Sequence, residues 1–138
     1  MNLTRTLMWV ILAATISTPC WGSPCDSVNR NLTTQRKATL EPVIAKQLGV
    51  RSAKVLESFR EDGWSIIYVG TSRADDAFLF YSNNPMTNRY VTLWAGVARK
   101  NEEGKIRNWV LQNAKGIPHR LANCFAWHVT NDPRFRNW

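Results

Sequence analysis

The sequence is short of the residues on which catalysis and metal binding usually rest. Its 138 residues include only two histidines and three cysteines. It contains no H-E-x-x-H, no phosphate-binding P-loop, no dinucleotide fingerprint and no G-x-S-x-G elbow, so the common zinc-protease, nucleotide-binding and serine-hydrolase layouts are excluded. Asp75-Asp76 is a paired carboxylate, but the dense oxygen-ligand spacing of a calcium loop is missing and a solvated turn is expected. No metal and no cofactor is expected. Acid is scarce as well: 10 Asp and Glu stand against 18 Lys and Arg, a formal charge of +8. Long apolar runs are absent beyond Leu7–Ile16 (LMWVILAATI). Ten residues cannot span a hydrocarbon layer that needs ~20. Repeats, low-complexity tracts and linkers are also missing, which leaves one small domain with one core.

What is present begins with an address. Arg5, the apolar run and a polar stretch ending in Pro19 have the order of a secretory signal peptide. Cleavage after Gly22 leaves Cys20 and Gly22 at the small-residue positions, giving a leader of 1–22 and a single domain of 23–138. Cuts after Ser17 or Cys20 are alternatives. Cys20 follows Pro19, which disfavours a lipoprotein. Removal of Cys20 turns an odd cysteine count into a pair, and an exported pair is most simply one disulfide, Cys25–Cys124. The C-x4-C spacing of Cys20 and Cys25 lacks nearby partners for a metal. Loss of Arg5 leaves a mature charge of +7. Basic residues attract anionic partners, but here they are scattered and a solvated surface explains most of them. Asn31-Leu32-Thr33 is a glycosylation sequon that matters only in a eukaryotic host.

Periodicity then suggests the elements. Leu40, Val43, Ile44 and Leu48 share one face of a helix over Thr34–Leu48, stopped by Gly49. Pro42 fits the first turn if Thr39 is the N-cap; a helix starting near Thr33 would be kinked there. Five short segments follow: Ala53–Arg60, Trp64–Gly70, Ala77–Ser82, Tyr90–Arg99 and Lys105–Leu111. Glu61-Asp62-Gly63, Thr71–Asp76, Asn83-Asn84-Pro85 and Asn101–Gly104 separate them as turns and loops. They read as a five-stranded antiparallel meander. Ile117–Val129 is a sixth strand or a helix. The helix is preferred, because Pro118 suits position N1 and Leu121, Cys124, Phe125 and His128 then share a face. The tail from Asp132 is expected to be irregular.

The expected class is therefore α+β: helix, five-stranded meander, helix, one disulfide. At the level of architecture it resembles cystatin-like folds, a helix on a curved sheet, and no motif extends that likeness to function.

Both faces of the expected strands carry bulky apolar residues. One is aliphatic (Ile67, Val69, Val91, Leu93). The other is richer in aromatic residues, and Trp64, Tyr68, Tyr81 and Trp94 are the binding candidates if a helix does not cover them. Gly96 would let a partner approach. The rival arrangement puts a helix on each side and makes both faces core. His119 and His128 are the only candidates for acid–base catalysis, but nine residues apart on a helix they point to opposite sides. The functional expectation is an exported binding protein of the bacterial periplasm or exterior, acting on another protein as an inhibitor or immunity protein does. Alternatives are a small secreted hydrolase such as a nuclease and a module binding an anionic envelope glycan or lipid. The binding protein is expected to be non-enzymatic, an enzyme being the less expected reading. Export makes a nucleic-acid partner the less expected one, although KIRNWVL mixes basic and aromatic residues.

Overall fold

A computed structural model describes Ser17 and residues 22–135. Apart from Ser17 and Gly22, the expected signal peptide with its Cys20 lies outside the described residues, as does the end of the tail. The elements are α1 (Thr34–Leu48), β1 (Ala53–Glu61), β2 (Trp64–Thr71), β3 (Ala77–Tyr81), β4 (Thr92–Ala95), α2 (Glu103–Asn113) and α3 (His119–Asn131). Short 3₁₀ turns at Lys100–Glu102 and Pro133–Phe135 flank the last two helices.

Helix α1 starts earlier than its proline suggests. Thr33 is the N-cap, and its hydroxyl accepts the Arg36 N–H at 3.1 Å. Thr39, the expected cap, lies inside the helix and donates its hydroxyl to the Gln35 carbonyl at 2.8 Å. Pro42 is tolerated because it sits on the exposed side, where water can serve the carbonyl it leaves unpaired. Gly49 ends the helix at φ 67° and donates its N–H back to the last turn.

The strands form one antiparallel meander in the order β1-β2-β3-β4. Asp62 and Gly63 close the first hairpin with φ of 47° and 80°, as a two-residue turn between right-twisted strands requires. The sheet has four strands, not the expected five. Lys105–Leu111 belongs to α2. Asn108 breaks the two-residue alternation there, whereas Ile106, Val110 and Ala114 recur every fourth residue and are all buried. Strand β4 is also shorter than Tyr90–Arg99, because Gly96 leaves the strand at φ 123°. The C-terminal segment is the preferred helix, with Pro118 as its N-cap, one residue before the expected position. Leu121, Cys124, Phe125 and His128 are all buried along it.

The sheet is covered on both faces. Leu40, Ile44 and Ala45 of α1 pack on Val55, Ile67, Val69, Leu79 and Tyr81. On the other face Phe59, Ile66, Phe78 and Phe80 meet Ile106 and Val110 of α2 and Leu121 and Phe125 of α3. A single helix on a sheet therefore does not describe this domain, since α2 and α3 cover the second face. The Cys25–Cys124 disulfide is formed, with Cα atoms 4.5 Å apart, and joins the segment before α1 to the middle of α3.

One irregularity decides which side chains reach which face. In β1 the register passes from Val55↔Val69 directly to Glu57↔Tyr68, so Leu56 is an extra residue, a β-bulge. Val55 and Ser58 consequently face α1, while Glu57 and Phe59 face α3.

Candidate functional site

The four aromatic candidates do not share one surface. Trp64, Tyr68 and Trp94 lie half-buried on the side of α2 and α3. Tyr68 stacks on Phe78 at 4.3 Å between centroids, and Trp94 meets Phe125 edge-on at 5.6 Å. The Tyr68 hydroxyl points to Asp76 at 3.4 Å; burial, reinforced by that carboxylate, pushes its pKa up to about 12. Tyr81 is on the opposite face, fully buried under α1, and donates its hydroxyl to Gln47 Oε1 at 2.8 Å. Burial raises its pKa also. The cause is register: Tyr81 pairs with Ser65, not with Ile66, and so falls on the face of Ile67. Phe78 and Phe80 take the aromatic face of β3 instead.

The two histidines are not brought together. His119 is exposed at the start of α3, while His128, near its end, is only 4% exposed. His128 belongs to a polar cluster that sequence reading missed, centred on Glu57. Glu57 Oε2 is 3.2 Å from His128 Nε2, and Oε1 accepts from Arg30 at 2.8 Å and from Arg134 at 3.2 Å. Arg134 also grips Asp132 at 2.6 Å. The cluster ties β1 to α3, to the C-terminal turn and to the segment before α1. Phe59, Phe78 and Phe135 surround the His128 ring within 6.2 Å. Only the bulge could have revealed this site. In a regular strand Glu57 would share a face with Val55 and point at α1.

The cluster holds charge in place. Burial alone would raise the pKa of Glu57, but the hydrogen bond from His128 and the charges of His128 and Arg134 outweigh it and lower the value. Asp132 is lowered from 3.8 to about 2, chiefly by its hydrogen bond from Arg134. A carboxylate with a depressed folded pKa stabilises the fold above its unfolded pKa, and that stabilisation is lost as pH falls through the folded value. The stability from Asp132 should thus be complete above about pH 4 and fade toward about pH 2. Thermal melts across this range should show a smaller acid-induced loss for Asp132→Asn than for wild type. Parallel curves for the two proteins would remove Asp132 from the acid response. Among the described residues no three metal-ligating side chains cluster, and no helix is long and apolar enough to cross a membrane.

Among the described residues the exposed large apolar side chains are Leu56 at the β1 bulge, Met86 in the loop after β3, and a group of three at the β4 edge of the sheet. Strand β4 is the last in the sheet, and Val91, Leu93 and Val97 in and beside it are 49%, 41% and 56% exposed. Grooves run along both of its faces. On the α1 side a groove of about 270 Å³ has Leu48, Val50, Val69, Ala77, Leu93 and Ala95 as its main apolar walls, with Thr71 and Asp75 on its rim. On the other side a smaller one of about 190 Å³ has Trp94, Val97, Ile106 and Trp109 as its apolar lining. Exposed arginines stand before and after the strand, Arg89 and Arg99. Of the four aromatic candidates, only Trp94 borders this surface. No family model, no curated protein and no solved structure matches the chain.

Proposed function

We propose that this is an exported binding protein that docks onto another protein along the edge of β4, in the manner of an inhibitor or immunity protein. The observation that carries this reading is the concentration of exposed Val91, Leu93 and Val97 at an edge strand with apolar grooves on both faces. Such an edge offers backbone donors and acceptors to an incoming strand, and alternate side chains of that strand can fill the two grooves. Trp94 supplies the aromatic anchor. The disulfide fits an oxidising compartment such as the periplasm.

Charge favours an acidic partner segment over a second copy. An edge-to-edge dimer would gather Arg89 and Arg99 of both copies around one junction, and like charges brought together oppose association. A strand with apolar residues at alternate positions and Asp or Glu at its ends would meet Arg89 and Arg99 favourably. The test is a photo-crosslinking residue at Thr92 in exported protein, followed by mapping of the crosslinked peptide. An acidic extended segment of one partner is expected, with capture about tenfold weaker in Leu93→Glu. Crosslinks between two copies of this chain, or equal capture by Leu93→Glu, would refute the reading.

A further inference from the structure

A second surface, built from other residues, lies near the start of α1 and the β1–β2 hairpin. Arg36 of the first helical turn and Arg60 of β1 line one pocket of about 440 Å³, together with Asn29, Ser65 and Asn84. Neither guanidinium has an ion pair or hydrogen bond among the described residues, and the Nε atoms of both are buried without a partner. Elsewhere in the protein Arg30, Arg120 and Arg134 are each paired with a carboxylate.

The polar residues around the pair add donors. The Asn29 side-chain oxygen accepts the Asn31 N–H at 2.9 Å, and the Asn84 side-chain oxygen accepts the Met86 N–H at 3.0 Å. The amide NH₂ groups of both are left without an acceptor among the described residues. Two acids also border the pocket. Glu61 Oε1 is paired with Arg120 at 2.9 Å while its Oε2 is buried without a partner among the described residues, and Asp62 is exposed at the hairpin tip. Helix α1 carries no acid in its first turn, where the helix dipole favours one, and carries Arg36 there instead. Burial, together with the neighbouring Arg60 charge, holds the Arg36 guanidinium below its ordinary pKa. Two half-buried, mutually repelling cations with spare amide donors beside them are arranged against local preference, a pattern that belongs to binding sites.

We infer that this pocket binds an oxyanion of the phosphate class, free or presented as a phosphomonoester on an envelope molecule, with Arg36 and Arg60 as its principal donors. Guanidinium groups suit this role because each offers a planar fork to two oxygens at once. A bridging anion would also relieve the repulsion between the two cations.

The experiment compares inorganic phosphate with chloride at matched ionic strength, by calorimetric titration and thermal melting. The proteins are wild type, Arg36→Gln, Arg60→Gln, the double variant, and Arg73→Gln as an exposed control. Phosphate should bind wild type and Arg73→Gln equally, bind each single variant about tenfold or more weakly, and leave the double variant unmoved. In phosphate-free buffer the double variant should melt no lower than wild type, since a repulsion has been removed. A second arm adds phosphatidylcholine vesicles with and without phosphatidic acid. Arg60-dependent retention on phosphatidic acid identifies a headgroup ligand; binding of phosphate alone identifies a free anion. Equal responses to phosphate and chloride, a double variant that binds phosphate as tightly as wild type, or a double variant that melts lower without phosphate would overturn the inference.

Discussion

Replacing Phe78 by alanine is expected to lower the unfolding free energy by about 3–5 kcal/mol. Phe78 is fully buried as the second residue of β3, and six rings surround it. Tyr68 stacks on it at 4.3 Å; Phe125 and Phe135 follow at 5.0 and 5.3 Å, and Trp94, His128 and Phe59 complete the shell within 6.4 Å. These neighbours come from β1, β2, β4, α3 and the C-terminal turn. No single element can move inward to refill the space, so the cavity would persist and add its cost to the lost transfer free energy. A domain of this size has only about 5–15 kcal/mol to lose. Urea unfolding would measure the change, with Phe78→Leu as the comparison that keeps most of the volume. A loss below about 1 kcal/mol for the alanine variant would mean that the cluster collapses around the gap.

The second large effect is expected from the disulfide. The double variant Cys25→Ala, Cys124→Ala should lose about 2–5 kcal/mol. The bond joins positions 99 residues apart, so it restricts nearly the whole unfolded domain. It also holds the segment that brings Val28 into the core and pairs Asn29 with Arg60 in both directions, at 3.1 and 2.8 Å. Both cysteines are buried. A reductant should therefore leave the native protein intact at low temperature and lower its melting point only as the chain begins to open. A melting point indifferent to both the substitutions and the reductant would remove the bond from the stability of the fold.

Local patterns were readable where one residue type dictates one conformation. Gly49 marked the end of α1, Asp62-Gly63 marked the hairpin, and the apolar spacing of Leu121, Cys124, Phe125 and His128 marked α3. The failures came where a short segment has the composition of a strand but the spacing of a helix, or where position depends on a partner strand. KIRNWVL is short and rich in strand-forming residues, but its alternation fails at Asn108 while Ile106 and Val110 keep the four-residue spacing, and packing against α3 selects the helix. Tyr81 looked like a companion of Trp64 and Tyr68, but cross-strand register placed it under α1. The Glu57 cluster was hidden for the same reason. Its members lie far apart in the chain, and the bulge that aims Glu57 leaves no mark in the amino-acid pattern. Arg36 and Arg60 are likewise two scattered charges until α1 folds over the end of β1.

The same bulge bears on how this chain can change in length. Within a strand, a shift of one residue normally exchanges every following side chain between the two faces. Leu56 is already surplus to the pairing of β1 with β2. A chain lacking it would return to plain alternation with Val55 and Ser58 still toward α1, and with Glu57 and Phe59 still toward α3. Strand β1 thus holds a spare position, a point at which the gene can lose a codon while both cores keep their occupants.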